Sequence, residues 1–157
     1  MSRENKKISL IVPIEEVKIV YKEYPLISII LPIYNGKQYI EETITSILDS
    51  DYENIEVLCI DDCSEDGSGD ICKRICAKDS RVIYLRRTEN GGVAAARNTG
   101  LKLCKGELVC FADQDDIVAK EFYSVMAEDI VSGQCDIAIS NIVHLVNGKK
   151  YMEEIKK

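Results

Sequence analysis

Apolar residues in this chain alternate between two periods. Leu26 to Ile33 is a near-continuous apolar run rich in isoleucine, as expected of a strand covered on both faces in a parallel sheet. Tyr34, Asn35 and Gly36 form a turn. Tyr39 to Leu48 then carries Ile40, Ile44, Ile47 and Leu48 at helical spacing, with Glu41 and Glu42 in the first turns, where the helix dipole favours acids. The pattern repeats. Ile55 to Ile60 reads as a second strand, followed by a polar turn, Cys63 to Gly69, and a helix carrying Cys72 and Cys76. Arg81 to Leu85 reads as a third strand, and Asn90, Gly91 and Gly92 introduce a helix over Val93 to Cys104. The alanines Ala94, Ala95 and Ala96 suit that helix to close packing on a sheet. Glu107 to Ala112 reads as the fourth strand, Lys120 to Ser132 as a helix and Cys135 to Ser140 as a fifth strand. Strict alternation predicts an α/β protein with an open, doubly wound, mostly parallel sheet, because right-handed crossovers place helices on both faces.

The ends are less regular. Ile8 to Ile14 (ISLIVPI) nearly copies Ile27 to Ile33 (ISIILPI), through either an old duplication or two apolar strands of similar composition. Glu15 to Tyr24 is charged, so residues 1–24 are expected to be an extension or edge segment and the compact domain, 25–157, to begin near Pro25. Asn141 to Lys157 is polar, and its carboxylates Glu153 and Glu154 are expected on a frayed terminal helix.

Composition narrows the chemistry. The 157 residues, 46% apolar and 30% charged, suit one globular domain. A net charge of −7 argues against nucleic acid as a partner. No apolar run approaches the roughly 20 residues that span a bilayer, and no signal sequence opens the chain, so a cytoplasmic protein is expected, with peripheral attachment at the inner face of the membrane as an option. Seven cysteines (59, 63, 72, 76, 104, 110 and 135) with one histidine, His144, make a poor zinc set; buried reduced thiols are expected.

The most informative stretch is Val109 to Asp116, where an apolar run stops at three carboxylates, Asp113, Asp115 and Asp116. Converging acids repel, so a cation is expected among them, and hard oxygen ligands suit Mg²⁺ or Mn²⁺ shared with substrate phosphates. A polar turn capping the next helix is the plainer alternative. Ligands of open α/β sheets bind at the carboxyl ends of the strands. Pro32 to Asn35 follows the first strand, Asp61 and Asp62 the second, and Asp113 to Asp116 the fourth, so three polar clusters are expected on one edge.

Four of these stretches together resemble family 2 glycosyltransferases, which have the GT-A nucleotide-sugar fold: ISIILPIYNG (27–36), IDDCSEDGS (60–68), NGGVAAARNTG (90–100) and FADQDD (111–116). The motifs occur in the family's order and cover about residues 26 to 140. The resemblance implies metal-dependent transfer of a sugar from a UDP-sugar to a glycan or lipid-linked acceptor hydroxyl, in synthesis of bacterial surface polysaccharide. It implies a nucleotide site drawn from Pro32, Tyr34, Asn35, Asp61, Asp62, Arg97, Asp113 and Gln114. In it Tyr34 packs on the base, Asp62 accepts from the uracil N–H, and Arg97 binds diphosphate oxygens or else pairs with one of the acids. Asp113 and Asp115, with Asp116 beside them, match the metal motif for Mn²⁺ or Mg²⁺. Gln114 stands where Ser or Ala is more usual and is expected to reach the sugar; Cys63 replaces a common Gly.

Inverting members of the family place their general base well beyond the metal motif. The chain therefore resembles the donor-binding half of such an enzyme, truncated before the acceptor part, with self-association expected at its uncovered edge. A silent nucleotide-sugar-binding module fits the same residues. A phosphoacceptor receiver domain does not, since it expects its acid pair after the first strand and a lysine after the fifth.

Overall fold

The computed structural model describes residues 24–133, 137–139, 142–146 and 149–153. Strands β1 (Ile27–Ile33), β2 (Ile55–Asp61), β3 (Val82–Arg86) and β4 (Leu108–Phe111) alternate with helices α1 (Ile40–Leu48), α2 (Ser68–Cys76), α3 (Gly92–Leu103) and α4 (Phe122–Val131). The four strands are parallel, in the order β3-β2-β1-β4.

That order fixes where the helices lie. The first two crossovers step outward from β1 to β2 to β3, and the third returns past them to β4 on the other side of β1. Right-handed connections running in opposite directions must use opposite faces. Accordingly α1, α2 and α4 pack one face, with Ile44, Ile47, Cys72, Tyr123 and Ala127 against Ile29, Leu31, Ile33, Val57 and Cys59. Helix α3 covers the other, with Ala96 against Ile30, Leu58 and Ile60. Of the three alanines only Ala96 is buried; the close approach is completed by Gly100, where an added Cβ would lie 2.5 Å from Ile30 Cγ2. Strands β1 and β2 are buried at every position, whereas on β4 Val109 and Phe111 stand exposed, since α3 lies over β1 and β2 rather than over the edge strand.

The C-terminal part departs from the sequence-based expectation. Residues 137–139 belong to no strand, with Ile137 and Ile139 75% and 73% exposed, so this apolar run finds no sheet to pair with among the described residues; the rest of the expected fifth strand lies outside them. In its place β5 (Ile142–Val146) and β6 (Lys149–Glu153) form an antiparallel hairpin. Glu153 is thus on a strand rather than a terminal helix, because the β-branched run of β5 supplies it with a ladder partner in Ile142. Glu154, residues 1–23 and Cys135 lie outside the described residues. Cys59 and Cys72 are buried, Cys63, Cys76, Cys104 and Cys110 half-buried, and all six are free thiols.

Candidate active site at the carboxyl ends of β1, β2 and β4

Between β1 and β4 the winding reverses direction, and adjacent loops there diverge to leave a crevice. The loop after β1 is shaped by Asn35 in the left-handed region (φ 50°), a conformation asparagine tolerates better than most residues. Its backbone N–H donates to Ser64 Oγ (3.0 Å) and its Oδ1 accepts from the Glu65 N–H (2.9 Å), which ties the β1 loop to the β2 loop. Asn35 is therefore a brace between loops.

Two adjacent acids end β2 in different roles. Asp61 is fully buried. Its Oδ2 accepts from the Tyr84 hydroxyl (2.6 Å) and Arg86 (3.0 Å), and its Oδ1 from the Ser64 N–H (2.7 Å). Burial pushes its pKa up, but the hydrogen bonds of Tyr84 and Ser64 and the charge of Arg86 outweigh that and hold it below the usual carboxylate value. The same environment pushes the Tyr84 phenol up to about 12, through burial first and then its hydrogen bond to Asp61. The expectation that Asp61 faces a nucleotide gives way to a structural role, because its carboxylate is fully buried and holds Tyr84, Arg86 and the Ser64 N–H inside the fold. Asp62, 3% exposed, lies at the start of α3. Its carboxylate pairs with Arg87 and accepts from the backbone N–H groups of Gly91 (3.1 Å) and Gly92 (2.6 Å), a charge placed where the α3 dipole favours it. The Gly91 N–H also reaches Oδ2 (3.2 Å), so each oxygen of Asp62 accepts twice, and that shared contact is the longest of the four. Between the two loops Cys63 adopts φ 68°, which explains why a glycine would sit there with less strain.

The loop after β4 carries the remaining acids. Gln114 does not extend toward open space. Its Oε1 accepts from the Tyr34 N–H (2.9 Å) and its Nε2 donates to the Tyr34 carbonyl (3.1 Å), so both ends of the amide are committed to the β1 loop, contrary to the expectation that they meet a sugar. Thr43 on α1 donates to the Gln114 carbonyl (2.8 Å), fixing the same loop from below. Arg97 donates from Nη2 to Asp113 Oδ1 (2.7 Å), the ion pair that was the plainer of its two expected roles. The Asp116 N–H closes a turn on the Asp113 carbonyl (3.2 Å). Among the described residues no three acidic, histidine or cysteine side chains are gathered as a metal cage, so Asp113, Asp115 and Asp116 do not converge as expected; the cation beside Asp113 is Arg97.

A crevice of about 480 Å³ lies among these loops, lined by Pro32, Tyr34, Asp62, Asp113, Gln114 and Asp115, together with Asn90, Gly92 and Val93 at the start of α3. Six of the expected site residues thus share one cavity; Asn35, Asp61, Arg97 and Asp116 are not among its lining residues. Sequence reasoning passed over Arg86 and Arg87. Their signal was present: β3 ends in two cations where its parallel neighbour β2 ends in two acids, and Asp61 is in register with Arg86.

The chain matches the model of Glycosyl transferase family 2 over residues 28–154. It belongs to that family. This family 2 chain is 40% identical over 115 residues to Glycosyltransferase GlyA of Streptococcus pneumoniae, an alignment covering 73% of this chain and 16% of GlyA. Among solved structures it is similar to S. aureus TarS 1–349 in complex with UDP-GlcNAc (TM-score 0.65, 32% identity, 78% of this chain and 36% of that one). It is also similar to the mannosyltransferase PcManGT from Pyrobaculum calidifontis in complex with GDP-Man and Mn²⁺ (TM-score 0.60, 30% identity, 64% and 30%). The fold is that of GT-A glycosyltransferases. The family 2 chain spans well under half the length of each protein named.

Proposed function

We propose that the crevice is the donor site of a glycosyltransferase that moves a sugar from a UDP-sugar to a hydroxyl of a glycan or lipid-linked acceptor, in the assembly of a bacterial surface polysaccharide. The observation that supports this most is the meeting of Tyr34, Asp62, Asp113 and Asp115 around one 480 Å³ space at the switch in strand order. Tyr34, 52% exposed, offers a ring face to a flat base. Asp62 lines the crevice, and its carboxylate suits a ring N–H, which uracil has, in exchange for the long shared contact from the Gly91 N–H. Asp113 and Asp115 fit a divalent ion in number and kind, since Mn²⁺ or Mg²⁺ bound with a diphosphate takes one or two carboxylates and completes its shell with phosphate and water. When bound, the ion would neutralise charge on the departing diphosphate. Among the described residues no helix is long and apolar enough to cross a membrane, and the reading places the enzyme in the cytoplasm, at the inner face of the membrane. The exposed Val109 and Phe111 of β4 favour self-association.

A thermal-shift comparison tests the base assignment. UDP with Mn²⁺ is expected to raise the melting temperature, more than ADP or GDP and with little effect from Mn²⁺ alone. Equal shifts for the three nucleotides would remove Asp62 as a uracil reader.

The modest share of each relative that the chain spans favours a second reading, a nucleotide-sugar-binding module without turnover of its own. Positioned general-base catalysis contributes about 10² to 10⁴ in rate. Sugar transfer by the 157-residue chain on the order of 1 s⁻¹, an ordinary enzyme rate, would exclude the module.

A further inference from the structure

Arg97 makes two contacts with the segment leaving β4. Its guanidinium lies over the Phe111 ring, 5.3 Å from the centroid, and Nη2 meets Asp113 Oδ1 at 2.7 Å. Its Nε is buried and without a hydrogen-bond partner. These facts pull in different directions. The Asp113 and Arg97 side chains are 56% and 36% exposed, so their ion pair is of the kind solvent weakens and a competing ion can exchange. The orphaned Nε, in contrast, marks a guanidinium whose donors are only partly used in this arrangement. Asp113 lines the crevice, and Arg97, which does not, reaches it only through this pair.

We propose that Arg97 is a placeholder cation: it occupies Asp113 until a divalent ion arrives, and the exchange releases the guanidinium toward the diphosphate that accompanies the ion. This rests on the donor-site reading above. A divalent ion and Arg97 compete for the Asp113 carboxylate, and a guanidinium held at hydrogen-bond distance repels the incoming ion, so metal alone binds weakly while the pair is intact. A diphosphate changes the balance by giving the freed fork of donors a bidentate anionic partner. Metal and nucleotide then bind cooperatively, each tightening the other by the same factor. Part of that coupling belongs to Arg97 and the rest to direct contact between ion and phosphate.

The test is electron paramagnetic resonance of free Mn²⁺ titrated with wild type, Arg97→Gln and Arg97→Lys, each with and without UDP. Without nucleotide, Arg97→Gln is expected to bind Mn²⁺ three- to tenfold more tightly than wild type, and the tightening by UDP is expected to shrink by a similar factor. Arg97→Lys, which keeps a charge that can pair with Asp113, is expected to bind Mn²⁺ alone like wild type. Unchanged or weaker Mn²⁺ binding by Arg97→Gln would overturn the exchange. So would tighter binding with the full UDP effect retained, because a distant charge acting through space would do that. If wild type binds no Mn²⁺ even with UDP, the donor-site reading fails and the placeholder with it. Should Arg97→Gln fail to fold, Arg97→Lys titrated in rising salt decides: parallel behaviour with wild type supports the exchange, and a UDP effect differing from wild type by tenfold or more without UDP-free change overturns it.

Discussion

Gln114 and Tyr34 are joined by a two-way amide clamp, with the Tyr34 N–H donating to Gln114 Oε1 at 2.9 Å and Gln114 Nε2 donating to the Tyr34 carbonyl at 3.1 Å. The pair does for two loops what a ladder does for two strands, since one side chain supplies a donor and an acceptor to the same residue. It links the loop that presents an aromatic ring to the loop that presents the acids.

The clamp predicts a non-additive mutant pair. At Gly36 an added Cβ would lie 2.3 Å from Gln114 Oε1, so Gly36→Ala must push the amide off Tyr34. Gln114→Ala removes the same two hydrogen bonds, each worth about 0.5–1.5 kcal/mol. Chemical denaturation should show each single variant less stable by about 1–3 kcal/mol, and the double variant scarcely worse than either. Additive losses would show that the two positions act separately.

Tyr84 and Asp61 predict opposite behaviour at the two ends of the pH scale. The Tyr84 pKa is raised, so its contribution to stability is whole below about pH 10, the unfolded value, and is lost as pH climbs toward about 12. Asp61 is depressed, so its contribution is present above about pH 4 and lost as pH falls through its folded value. In a tyrosinate absorbance titration, the difference between wild type and Tyr84→Phe should rise near pH 12; a difference rising near pH 10 would mean the buried hydrogen bond to Asp61 does not form. On the acid side, Asp61→Asn should be less stable than wild type at neutral pH, with the gap closing as the wild-type carboxyl protonates.

How much of this was legible depends on what each residue faces. Strand β1 was plain because every residue from Ile27 to Ile33 is buried and all are apolar except Ser28, whose hydroxyl donates to Glu56. The apolar run ending at Ile139 looked similar, yet its isoleucines are exposed, because composition reports suitability for a sheet and not the presence of a neighbour to pair with. The convergence of the β1, β2 and β4 loops followed from alternation and handedness alone. The division of labour between Asp61 and Asp62 did not, since it turns on Tyr84, Arg86 and two glycine amides distant in sequence. The clamp of Gln114 was equally hidden, because its partners are backbone atoms that carry no residue type.

Asp115 lines the crevice and, unlike Asp113, forms no ion pair with Arg97. If it holds the divalent ion, Asp115→Asn should weaken Mn²⁺-dependent UDP binding by at least about tenfold, roughly 1.4 kcal/mol, while the circular dichroism spectrum and denaturation midpoint stay near wild type. Unchanged affinity would place the ion elsewhere.

The donor-site account is tested most directly by isothermal titration of UDP into the 157-residue chain, with Mn²⁺ present and with Mn²⁺ removed by chelation. The account predicts saturable one-to-one binding with the ion and at least tenfold weaker binding without it. No saturable binding in the presence of Mn²⁺, or the same affinity after chelation, would contradict it.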